Sequence, residues 1–362
     1  MSPMPTDSPV AFTRRNFLTR SFGTLVIGVA GSTLLASCAT TPAVPADKAA
    51  PAETKKPLVP FTFLSYLTLD SLSMAPEMLG VAGGYFAKHG LDVTIQVVKG
   101  SPQAMQTLIA GVAPLTRVGE IDVMVAAVEK KQPLVNVGVI SHGSAIRIIS
   151  TEKYSNGPED WVGKTMGVPS VGGTSDKGLS LMMKNAGLDP DSVKRQLVGL
   201  TPATFELVRN GTLVGYMVSI DTALIVAQQN PDARIFDPGV RVKSDNQVYA
   251  STPDQIGKHK AELTNYFAAI KEVIEDVLAD KNLEKSIKTL RSKYSFATLN
   301  DDKIAKEALS ALRDLWSNHG KGPLLTQDMA VWAAGYDELV GANVVSAGFD
   351  AKTLVDNSMV SK

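Results

Sequence analysis

The chain has 362 residues, 44% of them hydrophobic, with 36 basic and 36 acidic side chains, four histidines and one cysteine. Balanced charge with no basic stripe excludes a nucleic-acid partner, and a single thiol excludes an internal disulfide. His89, His142, His259 and His319 are scattered without metal-ligand spacing, so neither a metal nor a cofactor is expected.

The first 37 residues hold Arg14, Arg15 and Arg20 against one acid, Asp7; without them 33 basic and 35 acidic residues remain, a near-neutral chain. Phe22 to Leu35 is apolar but broken by Gly23, Gly28, Gly31, Ser32 and Thr33. It is shorter than the roughly 20 apolar residues a membrane-spanning helix needs. A charged start, a short apolar run and small residues before a cleavage point describe a signal peptide over residues 1–37. Thr13-Arg14-Arg15-Asn16-Phe17-Leu18 resembles a twin-arginine export signal. Leu35-Ala36-Ser37-Cys38 resembles a lipoprotein lipobox, which implies cleavage before Cys38 and its acylation, with several acyl chains as a stable anchor. A plain signal peptide with an incidental cysteine, and an uncleaved anchor helix, are the alternatives. Residues 38–60 carry Pro42, Pro45, Pro51, Pro57 and Pro60 among Ala, Thr and Lys without apolar period, and read as a disordered tether.

Phe61 to Leu67 reads as the first strand, followed by a polar loop. Pro76 stands at a helix start. Met78, Ala82, Tyr85 and Phe86 share a helix face, and Gly90 stops the helix. Leu91, Val93, Ile95 and Val97 alternate with polar residues, as in a half-buried strand. Ser101-Pro102 reads as an N-cap with proline at the first helical position, and Gly111 ends that helix. Leu115–Gly119 is a strand, 121–131 a helix and 134–140 an apolar strand. Alternation of strands with short helices implies a parallel sheet.

Ser141-His142-Gly143-Ser144 breaks the rhythm, and the unit restarts in a second lobe. Residues 145–150, 165–168, 196–198 and 213–219 read as strands. Gly172-Gly173-Thr174-Ser175-Asp176 opens a helix stopped by Gly187. Thr201-Pro202 starts another, stopped by Gly211, and Asp221 starts a third that ends near Gln229. Val248–Ser251 looks like a return strand. Beyond Pro253 the chain is helical, with apolar spacing near 3.6 residues over 266–278, 283–292, 302–317 and 328–339. The expected class is α/β, two lobes of mainly parallel sheet flanked by helices around a hinge cleft. Residues 61–146 and 247–362 would form lobe 1 and residues 147–246 lobe 2. Two connections between lobes act together as a hinge.

This order of units resembles the periplasmic solute-binding proteins of ABC importers, in the nitrate, sulfonate, taurine and pyrimidine-precursor group. Gly84-Tyr85-Phe86-Ala87-Lys88-His89-Gly90-Leu91-Asp92-Val93 is similar to the family's first helix-to-strand turn. Gly100-Ser101-Pro102-Gln103-Ala104-Met105 is similar to its second loop. Trp161 to Ser170, running on through Asp176, is similar to the start of its second lobe, and Leu354 to Val360 to its closing segment. One departure is Gly111-Val112-Ala113-Pro114, where the family often has a Gly-x-x-Asp turn. The resemblance implies the type II periplasmic-binding-protein fold and capture of a small organic solute, anionic or aromatic and heterocyclic. It further implies delivery to an ABC permease in the inner membrane by a monomeric, lipid-anchored protein on the periplasmic side.

Ligands in parallel sheets sit beyond the carboxyl ends of the strands, where helix N-termini gather. The candidate contacts are therefore Tyr66, Asp70, Ser71, Ser101, Arg117, Glu120, His142, Ser144, Ser170, Gly172, Gly173, Thr174, Ser175, Asp176, Thr201 and Asp221. The glycine pair with Thr174 and Ser175 is the sharpest; there the competing reading is a turn and a helix cap. Ser101 and Thr201, each before proline, are expected to serve chiefly as caps. Arg117 either meets a ligand anion or pairs internally with Glu120, and the internal pair is preferred. Asp70 and Asp221 suit a ligand amine or ring N–H, or else solvated and capping roles. Tyr66 can stack on a ring, and His142 at the hinge can be an exposed bystander.

Thiol enzymes share the fold that this resemblance implies. Here the sole cysteine belongs to the lipobox, and no Gly-x-Ser-x-Gly elbow is present, so no enzyme is expected. A subunit that presents bound ligand to a membrane receptor is the alternative to a transport component.

Overall fold

The computed structural model describes residues 57–360. The expected signal peptide, Cys38 and the tether up to residue 56 lie outside the described residues. The elements are, in order, β1 (Val59–Ser65), α1 (Ala75–Ala82), α2 (Tyr85–Lys88), β2 (Leu91–Val97), α3 (Gly100–Ile109), β3 (Leu115–Gly119), α4 (Glu120–Val128), β4 (Val135–Ser141) and β5 (Ile146–Thr151). There follow β6 (Thr165–Val168), α5 (Thr174–Asn185), β7 (Lys194–Leu197), α6 (Phe205–Arg209), β8 (Gly215–Ser219), α7 (Ile220–Gln229), β9 (Ala233–Phe236) and β10 (Gln247–Ser251). The chain closes with α8 (Pro253–Ala279), α9 (Glu284–Arg291), α10 (Ala297–Asn300), α11 (Asp302–Trp316) and α12 (Met329–Gly341).

The strands form two five-stranded sheets, ordered β2-β1-β3-β10-β4 and β7-β6-β8-β5-β9. In each, three strands joined by helical crossovers are parallel. The strand that arrives from the other sheet, β10 or β5, inserts antiparallel to both of its neighbours. The two-lobed α/β architecture is thus present, and its sheets are mixed because each hosts a visiting strand. The chain crosses between sheets after β4 and again between β9 and β10.

Several boundaries differ from the sequence reading for identifiable reasons. β1 starts at Val59, inside the expected tether. The Val59 N–H donates to Gly90 O at 2.9 Å on the β2 side. The ring nitrogen of Pro60 therefore faces the other way, where β3 pairs only from Phe63 onward, so its missing donor costs nothing. The single helix expected around residues 78–86 is broken in two by Gly84, whose φ of +74° an L side chain would resist. The edge strand β9 went unforeseen: Ala-Arg-Ile-Phe offers four residues between Pro-Asp and Asp-Pro turns. α8 begins at Pro253 and runs 27 residues with a non-helical His259 inside.

An aromatic cluster centres the first lobe. Tyr266 stacks on Phe61, Phe63 and Phe86 at centroid distances of 5.0–5.6 Å and meets Tyr249 and Phe267 edge-on. Pairs of this kind contribute about 0.5–1.5 kcal/mol beyond area burial. In the second lobe Phe205, Val208, Leu213, Tyr216 and Val218 form a separate core. α11 packs on α7 of the second lobe and on β4 of the first. The closing segment is pinned to β4, where the Asp356 N–H donates to Asn136 O at 2.9 Å. Among the described residues no helix is long and apolar enough to cross a membrane.

Candidate functional site

The carboxyl ends of β1, β3, β6 and β8 converge with the N-termini of α4, α5 and α7, and side chains from the two lobes meet there. Asp221, in the first turn of α7, is fully buried. Its carboxylate accepts from Ser71 Oγ at 3.1 Å, from the Leu72 N–H at 3.1 Å and from Thr298 Oγ1 at 2.7 Å. Ser71 and Leu72 lie in the loop after β1, and Thr298 lies in α10. One acid from the second lobe is thereby satisfied by donors from elsewhere in the chain.

Thr174, the first residue of α5, makes the second bridge. Its hydroxyl donates to Asp122 of α4. It accepts from the Gly119 N–H at 3.3 Å, and Ser101 Oγ stands 3.0 Å away. The Thr174 N–H in turn donates to Ser101 Oγ at 3.3 Å. A Cβ on Gly119 would overlap the Thr174 side chain, so glycine is required at this close approach. Lys177, one turn along α5, gives its ammonium to the same Asp122 carboxylate and to Gly172 O. Ser101 therefore serves this bridge and not the expected cap; α3 has no side-chain cap bond.

Behind these contacts is a buried polar network. Arg117 on β3 is wholly buried. It donates to Gln247 Oε1 at 2.8 Å and to Ser73 O at 2.8 Å, and pairs with Glu77 at 3.3 Å. The expected pair with Glu120 does not form. Arg117 points to the α1 side of the strand, whereas Glu120 begins a helix and turns toward the second crossing. Burial pushes the Glu77 carboxyl up even with Arg117 beside it. Tyr66, at the end of β1, is 8% exposed, and its hydroxyl makes no hydrogen bond to a described residue. Burial pushes its phenol up; Arg117 opposes this, and Asp245, Asp122 and Glu77 add to it.

Glu120 is tied to the hinge. Its Oε2 accepts from Asn246 Nδ2 at 2.7 Å, and its N–H donates to Asn246 O at 2.9 Å. Asn246 Oδ1 also accepts from the Gly143 N–H at 2.7 Å, so this one residue joins α4 to both crossings. Glu120 Oε1 is buried without a partner. Burial pushes the carboxyl up to about 8, with Glu338 and Asp245 adding to the shift against the Asn246 hydrogen bond. Ser144, in the first crossing, bonds the Ile146 backbone and bears on Asp245, whose carboxyl burial also pushes up.

The other candidates fall outside this core. Asp70 is exposed and bonds locally with Thr68. Asp176 accepts from the Gly172 N–H at 2.8 Å and pairs with Arg195 at 2.8 Å, which closes the α5 start on itself. Gly172 takes φ +74°, and Gly173 lies against Ser170, so these residues shape the turn that delivers Thr174. Ser175 is buried beside Thr174. Thr201 is exposed and makes no side-chain cap bond. His142 is half-buried, with Nε2 unpartnered; burial and His319 bring its pKa down to about 4, so the ring is neutral.

With that geometry, residues 72–282 match the family described as NMT1/THI5 like, which is more than half of the chain. The chain belongs to the NMT1/THI5-like family. Over 262 residues it is 24% identical to the formylaminopyrimidine-binding protein of Halalkalibacterium halodurans, covering 70% of this chain and 77% of that one. The alkanesulfonate-binding protein SsuA of Xanthomonas axonopodis pv. citri, solved with MOPS bound, is similar at a TM-score of 0.64 and 14% identity over 83% of this chain and 99% of that one. The periplasmic nitrate-binding protein NrtA from Synechocystis PCC 6803 gives 0.61 and 13%, over 83% and 87%. At such identities these two likenesses concern the fold, which is that of the two-lobed periplasmic binding proteins.

The NMT1/THI5-like segment contains Asp122, Thr174, Lys177 and Asp221, whereas Ser71 immediately precedes it and Thr298 lies beyond its end. Sequence reasoning missed Asp122, Lys177, Thr298, Asp245 and Asn246. Asp122 did leave a signal: it is the lone acid within the apolar run Ile121–Val128, where a charge is retained only if it has a partner. Among the described residues no group of three or more His, Cys, Asp or Glu is placed to hold a metal.

Proposed function

We propose that this protein is the extracytoplasmic solute-binding component of an ABC importer, closing two lobes on a small solute and presenting the closed form to a permease. The observation that carries this is the pair of interlobe bridges, Asp221 to Ser71 and Leu72, and Thr174 to Ser101, Gly119 and Asp122. They assemble only when the two sheets approach, so a solute that contacts both sides favours closure. The family membership supports the same reading, as do the binding roles named for the relatives from Halalkalibacterium, Xanthomonas and Synechocystis. The relatives differ in ligand, so the solute class has to come from this chain's own residues.

Catalysis is not part of this reading. The thiol chemistry associated with related folds would need a cysteine in the cleft, and the single cysteine is Cys38. That residue we assign to acylation after signal cleavage, so that a monomer is tethered to the periplasmic side of the membrane. In the test, the chain from residue 57 onward is titrated with a solute panel while lobe separation is followed by scattering, and the full-length protein is reconstituted with a permease and its ATPase. A compacting, stabilising solute that raises ATPase turnover supports the reading. Turnover of the solute itself would refute it. Stimulation of a receptor and not of an ATPase would favour the sensor alternative. Retention of Cys38→Ala in the membrane fraction would refute the anchor.

A further inference from the structure

Glu120 opens α4 in the first lobe and is wholly buried. Its two carboxyl oxygens differ in their surroundings. Oε2 accepts from Asn246 Nδ2 at 2.7 Å, whereas Oε1 is buried and receives no donor from the described residues. An ionised carboxylate presents two acceptor oxygens, and a protonated one presents an acceptor and a hydroxyl. The observed pattern suits the protonated form: Asn246 fills the acceptor, and the oxygen that attracts no donor is the one placed to carry the hydrogen. Ser244 Oγ, likewise buried without a partner, belongs to a residue that borders the same glycine. A Cβ on Gly335 would lie 2.1 Å from Glu120 Oε1 and 3.4 Å from Ser244 Cβ.

The charged groups that face this carboxyl are acids: Glu338 from α12 and Asp245 from the second crossing. The nearby cations are spent elsewhere. Lys177 pairs with Asp122 on α4 itself, and Arg147 pairs with Asp237 at 3.2 Å and donates to Ser144 O at 3.0 Å. His142 in the first crossing titrates at about 4 and is neutral above that. Burial, with Glu338 and Asp245, holds the Glu120 carboxyl up at about 8, and burial pushes Asp245 the same way. The cover over Glu120 is made by the hinge. Asn246 bonds Glu120 and also takes the Gly143 N–H of the first crossing at 2.7 Å. Glu338 accepts from the N–H groups of Lys243 at 3.2 Å and Ser244 at 2.8 Å. Hinge motion is absorbed by φ/ψ changes at a few residues of this kind, so the segment that seals Glu120 from water is the one that turns when the lobes part.

We propose that lobe closure takes up a proton at Glu120: the closed hinge holds the neutral carboxyl, and opening admits water to it and lets it ionise. The coupling rests on the solute-binding reading, since it needs two lobes that close. Its direction follows from linkage. The closed form has the higher affinity for the proton, so acid favours closure and alkali favours opening. The window runs from the ordinary value of 4.5 to about 8. Within it, one proton per closure changes the closed-to-open ratio by up to about tenfold per pH unit. A solute in the cleft is then held more tightly at pH 5 than at pH 9 and is released by alkali, without any titrating group touching it.

The test needs no ligand. The chain from residue 57 onward carries no cysteine, so Lys153→Cys in the second lobe and Lys260→Cys in the first accept a pair of pH-insensitive dyes. Single-molecule energy transfer is then read from pH 5 to pH 9. The closed-to-open ratio is expected to fall at least about tenfold across that range. Glu120→Gln keeps the shape and the acceptor for Asn246 but cannot ionise. It should remove most of the pH dependence and leave more of the protein closed at pH 9, whereas a merely structural role would shift the ratio equally at every pH. A parent ratio that is the same at pH 5 and pH 9 overturns the proposal, and so does a Glu120→Gln variant with the parent's slope; in both cases two resolved distances leave the solute-binding reading standing. If the variant does not fold, the parent curve alone decides. A single distance at every pH, unmoved by nitrate, ethanesulfonate or cytosine, removes lobe motion and the solute-binding reading together with the proposal.

Discussion

Asp221 of the second lobe accepts a hydrogen bond from Ser71 of the first at 3.1 Å, across a separation of 150 residues. The same carboxylate takes the Leu72 N–H and the Thr298 hydroxyl. Hydrogen bonds to a charged group contribute about 1.5–3 kcal/mol each where they cannot be replaced. In the open form water replaces them, so the differential is smaller. Asp221→Ala should cost closure about 2 kcal/mol, roughly a thirtyfold shift toward the open form. Paired dyes on cysteines introduced at the exposed positions Lys153 and Lys260 report this directly, because the chain beyond Cys38 carries no other cysteine. An unchanged distance distribution would mean that Asp221 only caps α7.

The Asp122–Lys177 pair makes a distinct prediction. Asp122 is fully buried and Lys177 is about one-fifth exposed. Removing the cation leaves a buried carboxylate with only Thr174 as donor, and breaking such a pair costs about 3 kcal/mol or more. Lys177→Met should lower stability by that order, and Asp122→Asn combined with Lys177→Met should recover most of the loss. Urea midpoints of the two single variants and the double variant measure the coupling. Additive losses would mean that the two side chains act independently.

How much of this was legible in sequence depends on range. β3 and β6 were read to the residue, because short apolar strands between glycine, proline and helix-start signals leave little freedom. The Gly172–Asp176 stretch was legible as a helix start and was read as a ligand contact, with a turn and cap as the competing reading; the bridge that Thr174 makes to Asp122 and Ser101 was not foreseen. The partners were not legible. Arg117 meets Glu77 from 40 residues away, and local spacing suggested Glu120 in its place. Thr298 reaches Asp221 from a helix with no pattern linking it to the cleft. Asp122 was the readable omission, a lone acid in an apolar helix that periodicity alone treats as noise.

Arg117 tests whether the buried network is structural support for the cleft. Arg117→Met should destabilise by about 3–5 kcal/mol, because Glu77 is left buried without its cation. Glu77→Leu in the same chain should restore much of that stability. Cleft function should not recover with it, since Gln247 and the Ser73 carbonyl lose the donor that fixes the loop carrying Ser71. Stability and ligand affinity measured on the same double variant separate the two roles. Recovery of both would reduce Arg117 to a packing residue.

Glu120 gives the protein a stability that falls as pH rises. Its carboxyl has an ordinary value of 4.5 and titrates at about 8 when folded, chiefly because burial disfavours the charge. Folding therefore takes up a proton between those values, so the contribution is full below pH 4.5, declines up to about pH 8 and is flat above it. The size is on the order of 5 kcal/mol, given 1.36 kcal/mol per unit. Glu77 and Asp245, also pushed up by burial, act with the same sign. His142, held down to about 4, acts oppositely at the acid end, where its contribution is lost as pH falls from 6.5 toward 4. Glu120→Gln keeps the shape and the acceptor for Asn246 while removing the titration. Urea midpoints at pH 5 and pH 9 should therefore differ less in the variant than in the parent, with the variant the more stable at pH 9. Gly335 is the matching control: a methyl there would overlap the Glu120 carboxyl, so Gly335→Ala should destabilise at both pH values. A parent protein whose stability rises from pH 5 to pH 9 by as much as the Gln variant's would show that Glu120 is ionised throughout.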